Sequence, residues 1–145
     1  MFRYGLIGTP ISHSFSPRYF AEKFKREKRK DHRYELFELE RIEHFPGLLK
    51  GAPDLAGLNV TIPYKRTVMP YLDEVHPLAA AVGAVNTIAF RNGRTIGHNT
   101  DVTGFGDLLA PLLPKLQDPG SDIRLRALVL GSGGPRGYAH IGVMR

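Results

Sequence analysis

Over residues 58–62, apolar side chains alternate with Asn59 and Thr61. This period of two is typical of a strand that buries one face, so Asn59 and Thr61 are predicted to share the opposite face. Pro63 cannot donate a hydrogen bond to a sheet, and the strand is therefore predicted to end there, with Lys65 just beyond it. An amide, a hydroxyl and an ammonium group then lie close together.

The same patterns predict an α/β fold: an open, mostly parallel twisted sheet with flanking helices and a β-hairpin. The Asn92-Gly93 pair is a signal for the tight hairpin turn, and Gly83 closes an alanine-rich helix. Strands are predicted at 3–8, 34–39, 58–62, 83–90 and 95–98. Helices are predicted to begin at Pro17 and to span 42–49, 67–72, 77–82 and 104–113.

The last third of the chain has a different organisation. Residues 114–122 contain proline, glycine and aspartate and are predicted to link a domain at 1–113 to an incomplete Rossmann-like start at 123–145. The apolar run at 126–130 is a predicted strand with an open edge, which allows a homodimer. It leads into a glycine-rich turn that suits dinucleotide phosphates, with Gly131, Gly133 and Gly134 as candidate cofactor-binding residues.

Cysteine content, net charge and the lengths of apolar runs limit the classes of protein to which this chain can belong. The 145 residues contain no cysteine and carry a formal net charge of +6, much of it within residues 23–33. That run has the pattern of an amphipathic helix with a solvated outer face, and no aromatic-interleaved nucleic-acid reader accompanies it. No stretch is apolar enough for a signal peptide or a membrane span. A cytoplasmic protein with neither nucleic-acid nor membrane partners is expected.

Polar side chains in two loops are the candidate ligand-binding groups. Ser14 and Ser16 lie two residues apart, so in an extended loop both hydroxyls point the same way. The set of Asn59, Thr61 and Lys65 suits a small polyhydroxylated or anionic ligand. Structural roles are equally available: Ser16 as a helix N-cap, and the 58–62 strand as one with a solvated polar face.

Four motifs occur in an order that resembles shikimate dehydrogenase. They are Ser14-Phe15-Ser16-Pro17, Asn59-Val60-Thr61-Ile62-Pro63-Tyr64-Lys65, Gly83-Ala84-Val85-Asn86-Thr87 and Asn99-Thr100-Asp101. The likeness covers about residues 4–113, the substrate domain of that family, and extends in type to the glycine turn. It implies NADP-dependent, reversible reduction of 3-dehydroshikimate to shikimate, on the route to chorismate and the aromatic amino acids.

The resemblance also implies roles for individual residues. Lys65 and Asp101 are implied as the catalytic pair, and a lysine beside a carboxylate can relay or stabilise the proton that leaves the substrate hydroxyl. The sequence leaves open whether Lys65 is a base or an electrostatic donor, and Asp101 has the alternative role of a helix N-cap. The implied substrate-binding residues are Ser14 and Ser16 for the carboxylate and Thr61, Asn86 and Asp101 for the ring, with Asn59 as support from its strand.

The glycine turn departs from the family pattern, because Pro135 follows Gly134. The segment 131–137 also resembles the oxyanion loop of patatin-like lipases, but the chain has no Gly-x-Ser-x-Gly nucleophile motif. Two functions are therefore compared: part of an NADP-dependent dehydrogenase, and a module that binds shikimate or quinate without turnover. On length, the isolated chain is expected to be inactive or very weakly active.

Overall fold

The structure is a computed structural model that describes residues 1–111. Residues 1–99 form one compact unit, and a second unit begins at Thr100. The predicted linker at 114–122, the strand at 126–130 and the candidate cofactor residues Gly131, Gly133 and Gly134 lie outside the described residues. These expectations, and the domain boundary at 113, stay predictions.

Strands and helices alternate along the first unit, as predicted. The strands are β1 (Phe2–Gly8), β2 (His32–Glu38), β3 (Leu55–Val60), β4 (Glu74–Val75), β5 (Thr87–Arg91) and β6 (Arg94–His98). The helices are α1 (Ser16–Arg26), α2 (Phe45–Gly51), α3 (Tyr64–Thr67) and α4 (Pro77–Val82), with short 3-10 turns at Ile42–His44 and Met69–Tyr71. In the second unit, helix α5 spans Thr100–Leu109.

The six described strands form one mixed sheet in the order β2-β1-β3-β5-β6-β4. The pairs β1–β2, β1–β3 and β4–β6 are parallel. The pairs β3–β5 and β5–β6 are antiparallel. The prediction of a mostly parallel α/β sheet with a hairpin is confirmed, and the central strand β3 has a parallel neighbour on one side and an antiparallel neighbour on the other.

The core of this unit is built from aliphatic and aromatic side chains on the strands, on α2 to α4 and on the segments that adjoin them. Its fully buried members are Phe45, Ile7, Ile88, Val68 and Val85. Away from this core, the Phe20 side chain of α1 stacks on Tyr34 of β2. Their ring centroids are 4.2 Å apart and the interplanar angle is 8°. The packing of α1 against β2 is thus aromatic, while its basic residues lie on the outer face.

Local turn chemistry is confirmed where glycine or asparagine was decisive. Gly83 follows α4 with φ of 71°, the left-handed conformation of a helix C-cap. Asn92 and Gly93 have φ of 51° and 74° and connect β5 to β6. Positive φ at both central residues is what a type I′ hairpin turn requires.

Several predicted boundaries are wrong. Strand β3 ends at Val60 rather than 62, because the Tyr64 N–H bonds to the Thr61 carbonyl at 2.9 Å and the chain turns into α3. Ile62 lies in that turn and is 62% exposed, so it does not belong to the buried face. Strand β5 begins at Thr87 rather than 83, and α5 begins at Thr100 rather than 104.

We expect the free energy of unfolding to fall as the pH drops below 6.5, because of His98 at the end of β6. Burial lowers the pKa of His98 below its ordinary 6.5, coulombic interactions with His76 and Arg91 act in the same direction, and the interaction with Glu74 opposes them. Below 6.5 the unfolded chain therefore binds a proton more readily than the folded one, and this loss ends once the pH passes the folded pKa. Above 6.5 both states are neutral at this site.

Urea unfolding at pH values between about 7.5 and 5.5 measures this dependence. His98→Gln keeps a polar side chain without the titration, and it should flatten the curve over that range. An equally steep loss of stability in His98→Gln would show that another group is responsible.

Candidate functional site

The sheet topology brings most of the predicted site residues to one edge. Strands β1 and β3 are parallel neighbours, so the segments that follow them leave the sheet on the same side. Strand β5 is antiparallel to β3, with Thr87 opposite Asn59, so its beginning lies at the end of β3. We call this region the carboxyl edge: the ends of β1 and β3, the beginning of β5, and the loops that adjoin them.

Backbone hydrogen bonds hold the three segments of the carboxyl edge together. The Thr9 N–H donates to the Ile62 carbonyl at 3.2 Å, which joins the loop after β1 to the turn after β3. The Val85 N–H donates to the Lys65 carbonyl at 2.7 Å, which joins the segment before β5 to helix α3. Lys65 and Asn86 are therefore carried by neighbouring pieces of backbone.

The serine loop, residues 11–15, lies between β1 and α1. Ser14 Oγ accepts a hydrogen bond from the Ser16 N–H at 3.2 Å. The prediction of Ser16 as the N-cap is wrong: Ser16 is the first residue of α1, Phe15 occupies the cap position and Pro17 lies in the first turn. Because Ser14 Oγ accepts from the backbone, its own proton can be donated to a ligand anion.

Thr61 reaches the carboxyl edge through a close approach of two strand ends. Its N–H donates to the Ile7 carbonyl at 3.0 Å, immediately beyond the last residue of β3. A Cβ added at Gly8 would lie 2.5 Å from Thr61 Cγ2 and 2.8 Å from Ile11 Cγ2. Because Gly8 has no side chain, the space that its Cβ would fill is occupied by the Thr61 methyl group.

For Gly8→Ala we expect a displaced Thr61 side chain and a stability loss of about 1 kcal/mol, at the low end for an overpacked site. If Thr61 contacts the ligand and about 1 kcal/mol of binding free energy is lost, ligand affinity should fall by about fivefold, since a tenfold change corresponds to about 1.4 kcal/mol. Thermal unfolding measures the stability of the variant, and calorimetric titration of the same preparation with shikimate measures its affinity. Gly51→Ala, at a position whose added Cβ meets no atom within 4 Å, is the control and should keep the wild-type affinity.

Asn86 lies immediately before β5 and is almost fully buried, with 8% of its surface exposed. Its Oδ1 accepts a hydrogen bond from Thr87 Oγ1 at 3.1 Å. On the neighbouring strand, Asn59 accepts from the Tyr34 hydroxyl at 2.8 Å and donates to Thr87 Oγ1 at 3.4 Å. Burial raises the pKa of Tyr34 to about 12, and a hydrogen bond with the Ser16 side chain works against that rise.

Sequence reasoning did not identify Tyr34 or Thr87 as part of the site. Both lie on predicted strands, and Thr87 follows directly after the predicted ligand-binding Asn86. The available signal was the presence of polar side-chain tips on strands that border the site, since such groups need partners when they are partly buried. Only the strand pairing shows which partners they have.

Asp101 belongs to the second unit, in the first turn of α5. It is not the N-cap, because the helix begins one residue before it, at Thr100. A carboxylate in the first turn is favourable next to the partial positive charge of the helix N-terminus. The pairing of Asp101 with Lys65 stays a prediction.

The order of these residues and their placement at one sheet edge can be compared with known proteins. A family model described as "Shikimate dehydrogenase substrate binding domain" matches residues 6–88, more than half of the chain. The chain belongs to the shikimate dehydrogenase family. This match covers Ser14, Ser16, Thr61, Lys65 and Asn86, and it ends before Asp101.

Individual relatives agree with the family model. Shikimate dehydrogenase (NADP(+)) from Streptomyces avermitilis is 43% identical over 137 residues, which is 90% of this chain and 44% of the relative. The enzyme of the same name from Oceanobacillus iheyensis is 42% identical over 139 residues, 93% of this chain and 49% of the relative. The chain thus spans less than half the length of these curated relatives.

Solved structures share the fold. Shikimate 5-dehydrogenase from Thermus thermophilus, crystallised with NADP(H) and shikimate, superposes with a TM-score of 0.68 and 36% identity over 77% of this chain and 42% of that chain. The ligand-free form of 5-ketofructose reductase from a Gluconobacter species also gives a TM-score of 0.68, with 29% identity over 77% of this chain and 40% of that chain. The fold therefore occurs with more than one named activity.

Residues 1–111 contain no cluster of three or more histidine, cysteine or acidic side chains arranged to hold a metal ion. In the same part of the chain, no helix combines the length and apolarity that crossing a membrane would need. Among the site residues, the described structure places Ser14, Ser16, Thr61, Lys65 and Asn86 in one unit.

Proposed function

We propose that this chain is the substrate-binding part of an NADP-dependent shikimate dehydrogenase. The observation that carries the proposal is the meeting of the serine loop, the Thr61–Lys65 turn and Asn86 at the carboxyl edge of one sheet. Hydroxyl, amide and ammonium groups there match a small ring that carries both a carboxylate and hydroxyls. Membership of the shikimate dehydrogenase family supports the same conclusion.

The proposed ligand is shikimate or 3-dehydroshikimate. Ser14 and Ser16 are proposed to bind its carboxylate, because a hydroxyl proton and nearby backbone N–H groups at the start of α1 favour an anion. Thr61, Asn86 and Asp101 are proposed to bind the substituents of the ring. We propose neither a membrane nor a nucleic acid as a partner. A homodimer and a cytoplasmic location are further proposals.

Lys65 and Asp101 are proposed to act on the proton of the reacting hydroxyl. Oxidation of a carbinol to a ketone removes a hydride from carbon and a proton from oxygen. NADP, when bound, takes up the hydride. Lys65 lies on α3, directly after the turn that carries Thr61. From there its amine form can accept the hydroxyl proton during oxidation, and its ammonium form can return that proton during reduction.

NADP is proposed as the cofactor because the curated relatives are named shikimate dehydrogenase (NADP(+)). The predicted phosphate-binding residues Gly131, Gly133 and Gly134 lie beyond the described residues, and no contact to the cofactor is derived from them.

Calorimetric titration with three ligands tests this function. Shikimate should bind, and cyclohexenecarboxylate, which keeps the carboxylate and loses the ring hydroxyls, should bind at least about tenfold more weakly, as expected when polar groups of the site lose their partners. Fructose, which has hydroxyls and no carboxylate, should not bind measurably. Equal affinity for shikimate and cyclohexenecarboxylate, or preferential binding of fructose, would contradict the proposal.

A further inference from the structure

A continuous series of side-chain hydrogen bonds crosses the sheet from Tyr34 to Asn86. The Tyr34 hydroxyl on β2 donates to Asn59 Oδ1 on β3 at 2.8 Å. Asn59 Nδ2 donates to Thr87 Oγ1 at 3.4 Å, and Thr87 Oγ1 donates to Asn86 Oδ1 at 3.1 Å. We call this series the cross-sheet relay.

Strand register explains why Tyr34 can reach across a strand. Tyr34 lies opposite Tyr4 on β1, and Tyr4 lies opposite Gly57 on β3. Asn59 is two residues beyond Gly57 and therefore lies on the same face of the sheet. The long phenol side chain passes over β1 and places its hydroxyl on Asn59.

The tyrosine ring itself is held in place by aromatic packing. It stacks face to face on Phe20 of α1, and the groove below α1 that includes both rings has a volume of about 260 Å³. A pKa of about 12 keeps the phenol protonated at neutral pH, so Tyr34 stays a donor to Asn59.

The direction of each hydrogen bond decides how Asn86 is oriented. The single proton of Tyr34 goes to Asn59 Oδ1, which leaves the amide NH₂ of Asn59 turned toward Thr87. The single proton of Thr87 goes to Asn86 Oδ1. The Asn86 carbonyl is thereby directed at β5, and its NH₂ group is directed to the opposite side of the amide.

We propose that Tyr34 is a positioning residue that acts through Asn59 and Thr87 to fix the side-chain amide of Asn86, so that its NH₂ group donates to a ligand hydroxyl at the carboxyl edge. The proposal deepens the proposed shikimate-binding function and rests on it.

Tyr34→Phe removes the phenol hydroxyl and keeps the ring that stacks on Phe20. In the unliganded 145-residue chain, we expect the side-chain NH₂ signals of Asn59 and Asn86 to shift in amide NMR spectra. Shikimate affinity should fall by about 3- to 10-fold, as for the loss of one net hydrogen bond. Tyr4→Phe is the matched control, because it removes a phenol hydroxyl from the same aromatic cluster without touching the relay, and it should leave both readouts unchanged.

A second break in the relay keeps the test decisive if Tyr34→Phe does not fold. Thr87→Val preserves the shape of the side chain and removes its hydroxyl, whereas Thr87→Ser retains the hydroxyl. We expect the valine variant to shift the Asn86 NH₂ signals and weaken shikimate binding by a similar factor. The serine variant should restore both toward the wild-type values, which a purely steric role of Thr87 would not produce.

The outcomes separate this proposal from the proposed function. Unchanged Asn86 NH₂ signals in folded Tyr34→Phe, or in Thr87→Val, would overturn the relay. If the wild-type chain does not bind shikimate, the proposed function fails, while the spectra of the unliganded variants still decide whether Tyr34 orients Asn86. Shifted signals with unchanged shikimate affinity would overturn the positioning role.

Discussion

Replacing Ser14 with alanine is expected to weaken shikimate binding by about 10- to 100-fold. A hydrogen bond to a charged group contributes about 1.5–3 kcal/mol, and every 1.4 kcal/mol is about tenfold in affinity. Ser14 Oγ already accepts from the Ser16 N–H, so its hydroxyl proton is the group available to a carboxylate. Calorimetric titration of the variant with shikimate measures the effect.

Two further variants show whether the loss comes from the carboxylate contact. Ser12→Ala removes an exposed hydroxyl from the same loop connection and should retain the wild-type affinity. Lys65→Ala should weaken binding less than Ser14→Ala if the lysine serves proton transfer rather than binding. The reverse order, with Lys65→Ala the weaker binder, would contradict the roles proposed for both residues.

Replacing Gly5 with alanine is expected to destabilise the fold by about 3 kcal/mol, the upper part of the range for overpacking. Gly5 lies in β1, opposite Glu35 of β2. An added Cβ would clash with the Phe37 ring and would lie 2.8 Å from the Glu35 carbonyl oxygen. A backbone oxygen in a paired strand cannot move away without breaking inter-strand hydrogen bonds, so the clash cannot be relieved at a low cost in free energy.

The same substitution at Gly47 is the matched control. Gly47 lies within helix α2, and an added Cβ there meets no atom within 4 Å. Alanine should stabilise that position by about 0.5–1 kcal/mol, because it has the higher helix propensity. Thermal unfolding of both variants should therefore give shifts of opposite sign, with the larger shift for Gly5→Ala. A Gly5→Ala protein as stable as the wild type would contradict the close pairing of β1 with β2.

Local sequence chemistry was sufficient for the parts of the fold that depend on a single residue's backbone. Gly83 ends α4 and the Asn92-Gly93 pair makes the hairpin, as the residues themselves predict. The alternation around Asn59 identified a real strand. These features are set by φ angles and by the period of side chains, both of which are visible in the sequence.

The structural features that the sequence did not predict depend on tertiary contacts. Strand β4 has only two residues and no pattern of its own; it is held by pairing with β6. Beside it, the N–H and hydroxyl of Thr95 donate to the Asp73 carboxylate at 2.7 and 2.8 Å, and these bonds lower the pKa of Asp73. Such long-range hydrogen bonds leave no periodic signal in the sequence.

The candidate site was predictable to a similar degree. Ser14, Thr61 and Lys65 were selected for their side-chain chemistry and their positions at the ends of elements, and the sheet topology brings their segments together. The contribution of Tyr34 required the register of three adjacent strands, because residues from β2 and β3 meet across β1. A single sequence does not specify that register.

The central claim is that one edge of this sheet binds shikimate, and an NMR titration of the 145-residue chain tests it most directly. Adding shikimate should shift the amide signals of the residues at that edge in a saturable manner, while signals at the opposite end of the sheet stay in place. The residues expected to shift are Ser14, Ser16, Thr61, Lys65 and Asn86. No saturable shift, or shifts centred away from these residues, would contradict the account.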